Sequence, residues 1–145
     1  MKKWMAMSIL AVTFATPALA RDTVYKIKLA DVLAMPEAKG KLDKSVAFYL
    51  AGAKTPAVVE TLGEGVSNKK TNSLGKSDEF GCKWAALSAL IALQDTAKKK
   101  GANAVVDIVS YYKRSEFKST TEFECHAGSF VVGVALKGNY ARVGK

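Results

Sequence analysis

Residues 77–112 constrain the fold more tightly than any other stretch of this 145-residue chain. Ser77, Asp78 and Glu79 precede an apolar body from Trp84 to Leu93; Lys98, Lys99, Lys100 and Gly101 follow it, then Ala104-Val105-Val106-Asp107-Ile108-Val109. The spacing predicts a helix over about 78–100, roughly 30 Å long at 1.5 Å per residue. Ser77 or Asp78 can accept a bond from the first free N–H groups. The acids at one end and the lysines at the other complement the helix dipole, so the lysine cluster needs no partner to explain it. Cys82, Ala85, Ala86, Ala89, Leu93 and Ala97 share one face, and Trp84, Leu87 and Ile91 widen the stripe. Small residues along that face let a helix lie close against a sheet. Gly101 suits the left-handed position that ends a helix. The valine- and isoleucine-rich run from Ala104 to Tyr112 then reads as a central strand, buried on both faces.

The rest of the chain supplies strands. Thr23 to Leu29 alternates Val24, Lys26 and Lys28 against Tyr25, Ile27 and Leu29, the period of a half-buried strand. A short turn capped by Asp31 is expected through Met35, then a loop marked by Pro36 and Gly40. Further strands are expected over 45–51, 57–62, 120–126 and 129–136, with Gly63 and Gly65 bending or bulging the third and Gly138-Asn139 ending the last. Three strands, one long helix and three strands define an α+β fold, an antiparallel or mixed sheet with the helix packed on one face. Length allows a single domain, residues 21–145.

Lys2 and Lys3, an apolar run from Trp4 to Ala15 and Ala18-Leu19-Ala20 have the layout of a cleaved signal peptide over residues 1–20. No cysteine follows Ala20, so a lipid anchor is not expected. The expected location is periplasmic or secreted. The formal charge of +9 stays clearly positive without the two leader lysines; because the lysines are dispersed it reads first as simple solubility, and the alternative is an envelope component or an anionic surface as partner.

Gly63-Glu64-Gly65-Val66-Ser67-Asn68-Lys69-Lys70-Thr71 invites comparison with a phosphate-binding loop. That loop needs Gly-x-x-x-x-Gly-Lys-Ser/Thr, whereas position 68 is asparagine and position 70 lysine, so no nucleotide is expected. Tyr111, Tyr112, Lys113, Arg114 and Phe117 mix aromatic and basic side chains as a single-strand nucleic-acid platform does. The group is short and isolated, so it reads as a strand edge and not a nucleic-acid site.

Cys82 falls on the alanine face of the helix and Cys125 on the Phe123 face of its strand, both directed into one interface. A Cys82–Cys125 disulfide is expected in an oxidising compartment. There is no Cys-x-x-Cys motif for redox work, and Cys125 and His126, as strand neighbours, point to opposite faces. Glu122, Glu124 and His126 form a stripe. It reads first as a solvated face with opposite-charge neighbours; the alternative is weak divalent-metal binding by these three residues. A catalytic role for the stripe is a further alternative, with no reaction type attached. No cofactor is implied.

From about Ala57 onward, Gly101-Ala102-Asn103-Ala104-Val105-Val106, Val131-Val132-Gly133-Val134-Ala135 and Ala141-Arg142-Val143 resemble a family of small bacterial domains labelled heavy-metal-binding. That resemblance implies a compact α+β fold and ring-like homo-oligomers. The mature chain, through Asn68-Lys69-Lys70-Thr71-Asn72, Lys76-Ser77-Asp78-Glu79 and Ser110-Tyr111-Tyr112-Lys113, is similar to a secreted bacterial family whose members are commonly named excinuclease ATPase subunit. More distantly, the helix-turn-strand resembles the outer-membrane stress-sensing lipoprotein of the Rcs pathway, although the lipid-bearing cysteine is missing here. Together these features predict a non-enzymatic periplasmic or secreted binding module.

Overall fold

The computed structural model describes Val12 and residues 20–144. The expected signal peptide, apart from Val12 and Ala20, lies outside the described residues. Six strands and one long helix follow in the expected order: β1 (Thr23–Lys28), short helices α1 (Leu29–Leu33) and α2 (Pro36–Lys41), β2 (Ala47–Leu50), β3 (Val58–Asn72), α3 (Asp78–Lys99), β4 (Ala104–Ser110), β5 (Glu122–Ala127) and β6 (Val131–Val143).

The sheet is mixed and curled, and β6 is its axis. β3 runs antiparallel along nearly the whole of β6, from Val58↔Val143 to Asn72↔Val131. The opposite edge of β6 is divided. β5 takes its first residues, through His126↔Gly133 and Ala127↔Val132, and β4 takes residues 136–141. β1 extends the β5 arm antiparallel, while β2 extends the β4 arm in parallel. Where β4 and β5 diverge, the buried Ser110 hydroxyl accepts a hydrogen bond from Glu124 N–H at 2.7 Å. This side chain bridges the arms where ladder pairing stops.

Helix α3 covers the concave side. Ser77 caps it by accepting from Phe80 N–H at 3.1 Å, and Gly101 leaves it at φ +72°. Cys82, Ala85, Ala86, Ala89, Leu93 and Ala97 are all buried, as their spacing demands, against Val105, Ile108, Phe123, Val132, Val134 and Leu136. Burying six such large apolar side chains supplies the main stabilisation of the layer, about 1.5–3 kcal/mol each. Cys82 and Cys125 form the expected disulfide, Cα–Cα 5.7 Å, tying the first turns of α3 to β5.

Four local expectations need correction. Pro36 opens helix α2 instead of a loop, because its fixed φ suits the first helical position, where no N–H is needed. Asp31 lies within the first turn of α1, not at its cap. β3 continues to Asn72, with register irregularities between Thr61 and Glu64 that absorb Gly63. β6 passes straight through Gly138 to Val143, because a Cβ there would lie 2.9 Å from Val105 Cγ1 and 3.0 Å from Ile108 Cγ1. That glycine admits packing from β4; it does not turn the chain.

Candidate functional site

A pronounced concavity lies beside the edge strand β2. One hollow of 660 Å³ is lined by Leu33, Leu42, Val46, Phe48 and Tyr49, and a second of 520 Å³ shares Leu33, Phe48 and Tyr49 while adding Leu29 and Thr121. They form one mostly apolar groove with β2 as one wall and α1 and α2 as the other. Its shape follows from local chemistry. Helix α1 begins directly at the end of β1, anchored by Leu29 N–H to Thr121 O at 3.0 Å. The linker after α2 is held to α3 by Gln94, which is 3% exposed: its Oε1 accepts from Asp43 N–H and its Nε2 donates to Lys41 O, both at 3.0 Å.

The rim is cationic. Lys39 and Lys44 border the first hollow and Lys28 the second. Asp43 also borders it, but its carboxylate is bound by the Lys98 ammonium and by the Ser45 hydroxyl and N–H, which draw its pKa down to about 2. An apolar floor with Lys39 and Lys44 at its lip, neither in an ion pair among the described residues, suits an amphipathic ligand with an anionic end.

The acid–histidine stripe is organised differently. β1 and β5 pair Val24↔His126, Lys26↔Glu124 and Lys28↔Glu122, so the acidic stripe faces a lysine stripe residue by residue. Lys26 bonds Glu124 and lies 3.4 Å from the Phe117 ring centre. The His126 ring stacks on Tyr112, centroids 3.6 Å apart and planes 12° off parallel. Its Nδ1 is 2.9 Å from Asp22 Oδ1 and its Nε2 3.4 Å from Glu124 Oε2. Glu122 instead borders a separate shallow hollow with Lys28, Asp31, Glu79 and Lys83. Among the described residues, no three histidine, cysteine or acidic side chains gather in a way that could hold a metal ion. Tyr111 and Tyr112 have left β4: Ser110 exchanges backbone bonds with Phe117, and Lys113 and Arg114 adopt positive φ of 50° and 64°.

Both disulfide sulfurs belong to fully buried residues, so the bond is a structural tie and suits an oxidising compartment. No helix among the described residues is long and apolar enough to cross a membrane. These features define a disulfide-tied α+β domain with a groove at its β2 edge. Comparison with protein-family models and with curated proteins finds no match for the chain.

Sequence reasoning missed the groove and its clamp. Gln94 carried a readable signal, a polar side chain on the buried face that also holds Leu87, Leu90 and Ala97. The groove carried none, because it depends on β2 lying parallel to β4 and on two helices too short to show periodicity.

Proposed function

We propose that this chain is a non-enzymatic binding module of the cell envelope, periplasmic or secreted, and that its ligand is an amphipathic molecule with an anionic end. The observation that carries the reading is the continuous apolar groove beside β2, with Lys28, Lys39 and Lys44 at its rim and Asp43 already committed to Lys98. The disulfide and the signal-peptide layout of residues 1–20 support the location.

Titration with a long-chain fatty acid, followed by displacement of an apolar fluorescent probe, tests the reading. Leu33 is 40% exposed at the groove, so Leu33→Glu leaves the core intact while placing a carboxylate in the apolar channel. Saturable uptake by the wild-type chain and at least about tenfold weaker uptake by Leu33→Glu are expected, since a charge would have to be desolvated against the ligand. Equal uptake by the two chains would refute the reading.

A further inference from the structure

One corner of the molecule, remote in sequence from the groove, concentrates exposed apolar side chains, two of them at turns. Leu74 is 68% exposed, Phe130 63%, and Phe80 and Val131 45% each. The fold brings them together. Ser73 N–H bonds Phe130 O at 2.9 Å, Asn72 pairs with Val131 in the β3–β6 ladder, and Lys76 N–H bonds Ser73 O at 3.0 Å. Phe80 lies in the first turn of α3, with Lys76 Nζ 6.0 Å from its ring centre.

The charges around this corner leave it positive. Asp78 is bound by Arg21 and Tyr25, and Glu79 by Lys83 at 3.1 Å. Lys70, Lys76 and Lys113 have no carboxylate within ion-pair distance among the described residues. Val131 belongs both to the apolar corner and to a 260 Å³ hollow lined by Lys70, Lys113, His126 and Asp22, whose carboxylate lies 2.9 Å from His126 Nδ1. Exposed apolar side chains and a hollow bordered by lysines are therefore adjacent on one surface.

We propose that this corner docks on an anionic phospholipid surface, with Leu74 and Phe130 entering the interface and Lys70, Lys76 and Lys113 meeting headgroup phosphates. Charge complementarity selects the occupant. Leu74 and Phe130 stand exposed at turns beside lysines that have no carboxylate partner among the described residues, the arrangement of an interfacial anchor on an anionic surface. The docking is independent of the groove and stands whether or not the groove holds a ligand.

Co-sedimentation of the full chain with vesicles tests it, comparing phosphatidylglycerol-containing with pure phosphatidylcholine vesicles. Partitioning onto the anionic vesicles only is expected, weakening as salt is raised. Leu74→Ser with Phe130→Ser, both exposed and so compatible with folding, should weaken it by at least about tenfold through lost apolar burial. Lys70→Gln and Lys76→Gln should each weaken it about fivefold. Circular dichroism confirms that the variants remain folded. Binding unchanged in the apolar double variant, equal binding to neutral vesicles, or no vesicle binding would each overturn the proposal. So would inorganic phosphate shifting the amide resonances of Lys70 and Lys113 without vesicle association, which would assign the hollow to a free anion. Self-association abolished by the double variant, again without vesicle association, would assign the corner to a second copy of the chain.

Discussion

Gln94 clamps Asp43: the buried side-chain amide of α3 accepts the Asp43 backbone N–H at 3.0 Å while donating to Lys41 O. One residue of the long helix therefore sets where the linker between α2 and β2 runs, and with it one wall of the groove. Gln94→Leu removes both bonds and leaves two backbone groups without these partners. A loss of about 1–3 kcal/mol in urea denaturation is expected, together with weaker probe uptake by the groove. An unchanged denaturation midpoint would show that the linker holds its course without the clamp.

Acid should loosen the same linker. The Asp43 carboxyl titrates at about 2 in the folded chain, because Lys98 and then Ser45 favour its charged form, against an ordinary value of 3.8. A lowered folded value contributes stability that is complete above pH 3.8 and is lost as pH falls towards 2. Asp78 is shifted in the same direction, by Arg21 first and Tyr25 second. Denaturation midpoints between pH 5 and 2 should fall less steeply in Lys98→Met than in the wild type. Parallel profiles would show that the ion pair is not formed in solution.

The Cys82–Cys125 bond closes a loop of sequence separation 43. Its removal in the Cys82→Ala, Cys125→Ala double variant should cost about 4 kcal/mol in the chain-entropy account. Guanidinium denaturation of the variant measures this directly. Reductant should shift the wild-type midpoint towards that of the variant and leave the variant unmoved.

At Gly138 the added methyl of alanine would meet Val105 and Ile108 side chains and, at 3.1 Å, the Val106 carbonyl oxygen. Overpacking of this kind costs about 1–3 kcal/mol. Thermal denaturation of Gly138→Ala checks it, and Val105→Ala in the same chain should recover part of the loss by opening space.

The elements that could be read from the chain are those whose side chains repeat with the period of their own backbone. Helix α3 declared itself by its alanine face and its charged ends, and β5 by Phe123 and Cys125 alternating with Glu122, Glu124 and His126. The disulfide followed once those two faces were known to meet. Elements fixed by neighbours were harder. Gly138 looks like a stop until β4 is seen to pack on it, and Pro36 looks like a loop until the short helix behind it is seen. The acidic stripe was visible, but its register against Lys26 and Lys28 was set by a strand almost a hundred residues earlier. Asp22 and Tyr112, which engage His126, were not legible as its neighbours for the same reason.

The divided edge of β6 has a consequence for the order of assembly. The β1–β5 arm and the β2–β4 arm share only a few contacts, and both reach β3 through β6. Until residues 131–143 are available, the earlier strands are fragments of a sheet without a common member. The rate-limiting event of folding should then be the docking of β6, a set of long-range pairings with a high loop-closure cost. In pulse-labelling hydrogen exchange, amides of β3, β4 and β6 should gain protection together; protection of either arm well ahead of β6 would place the nucleus elsewhere.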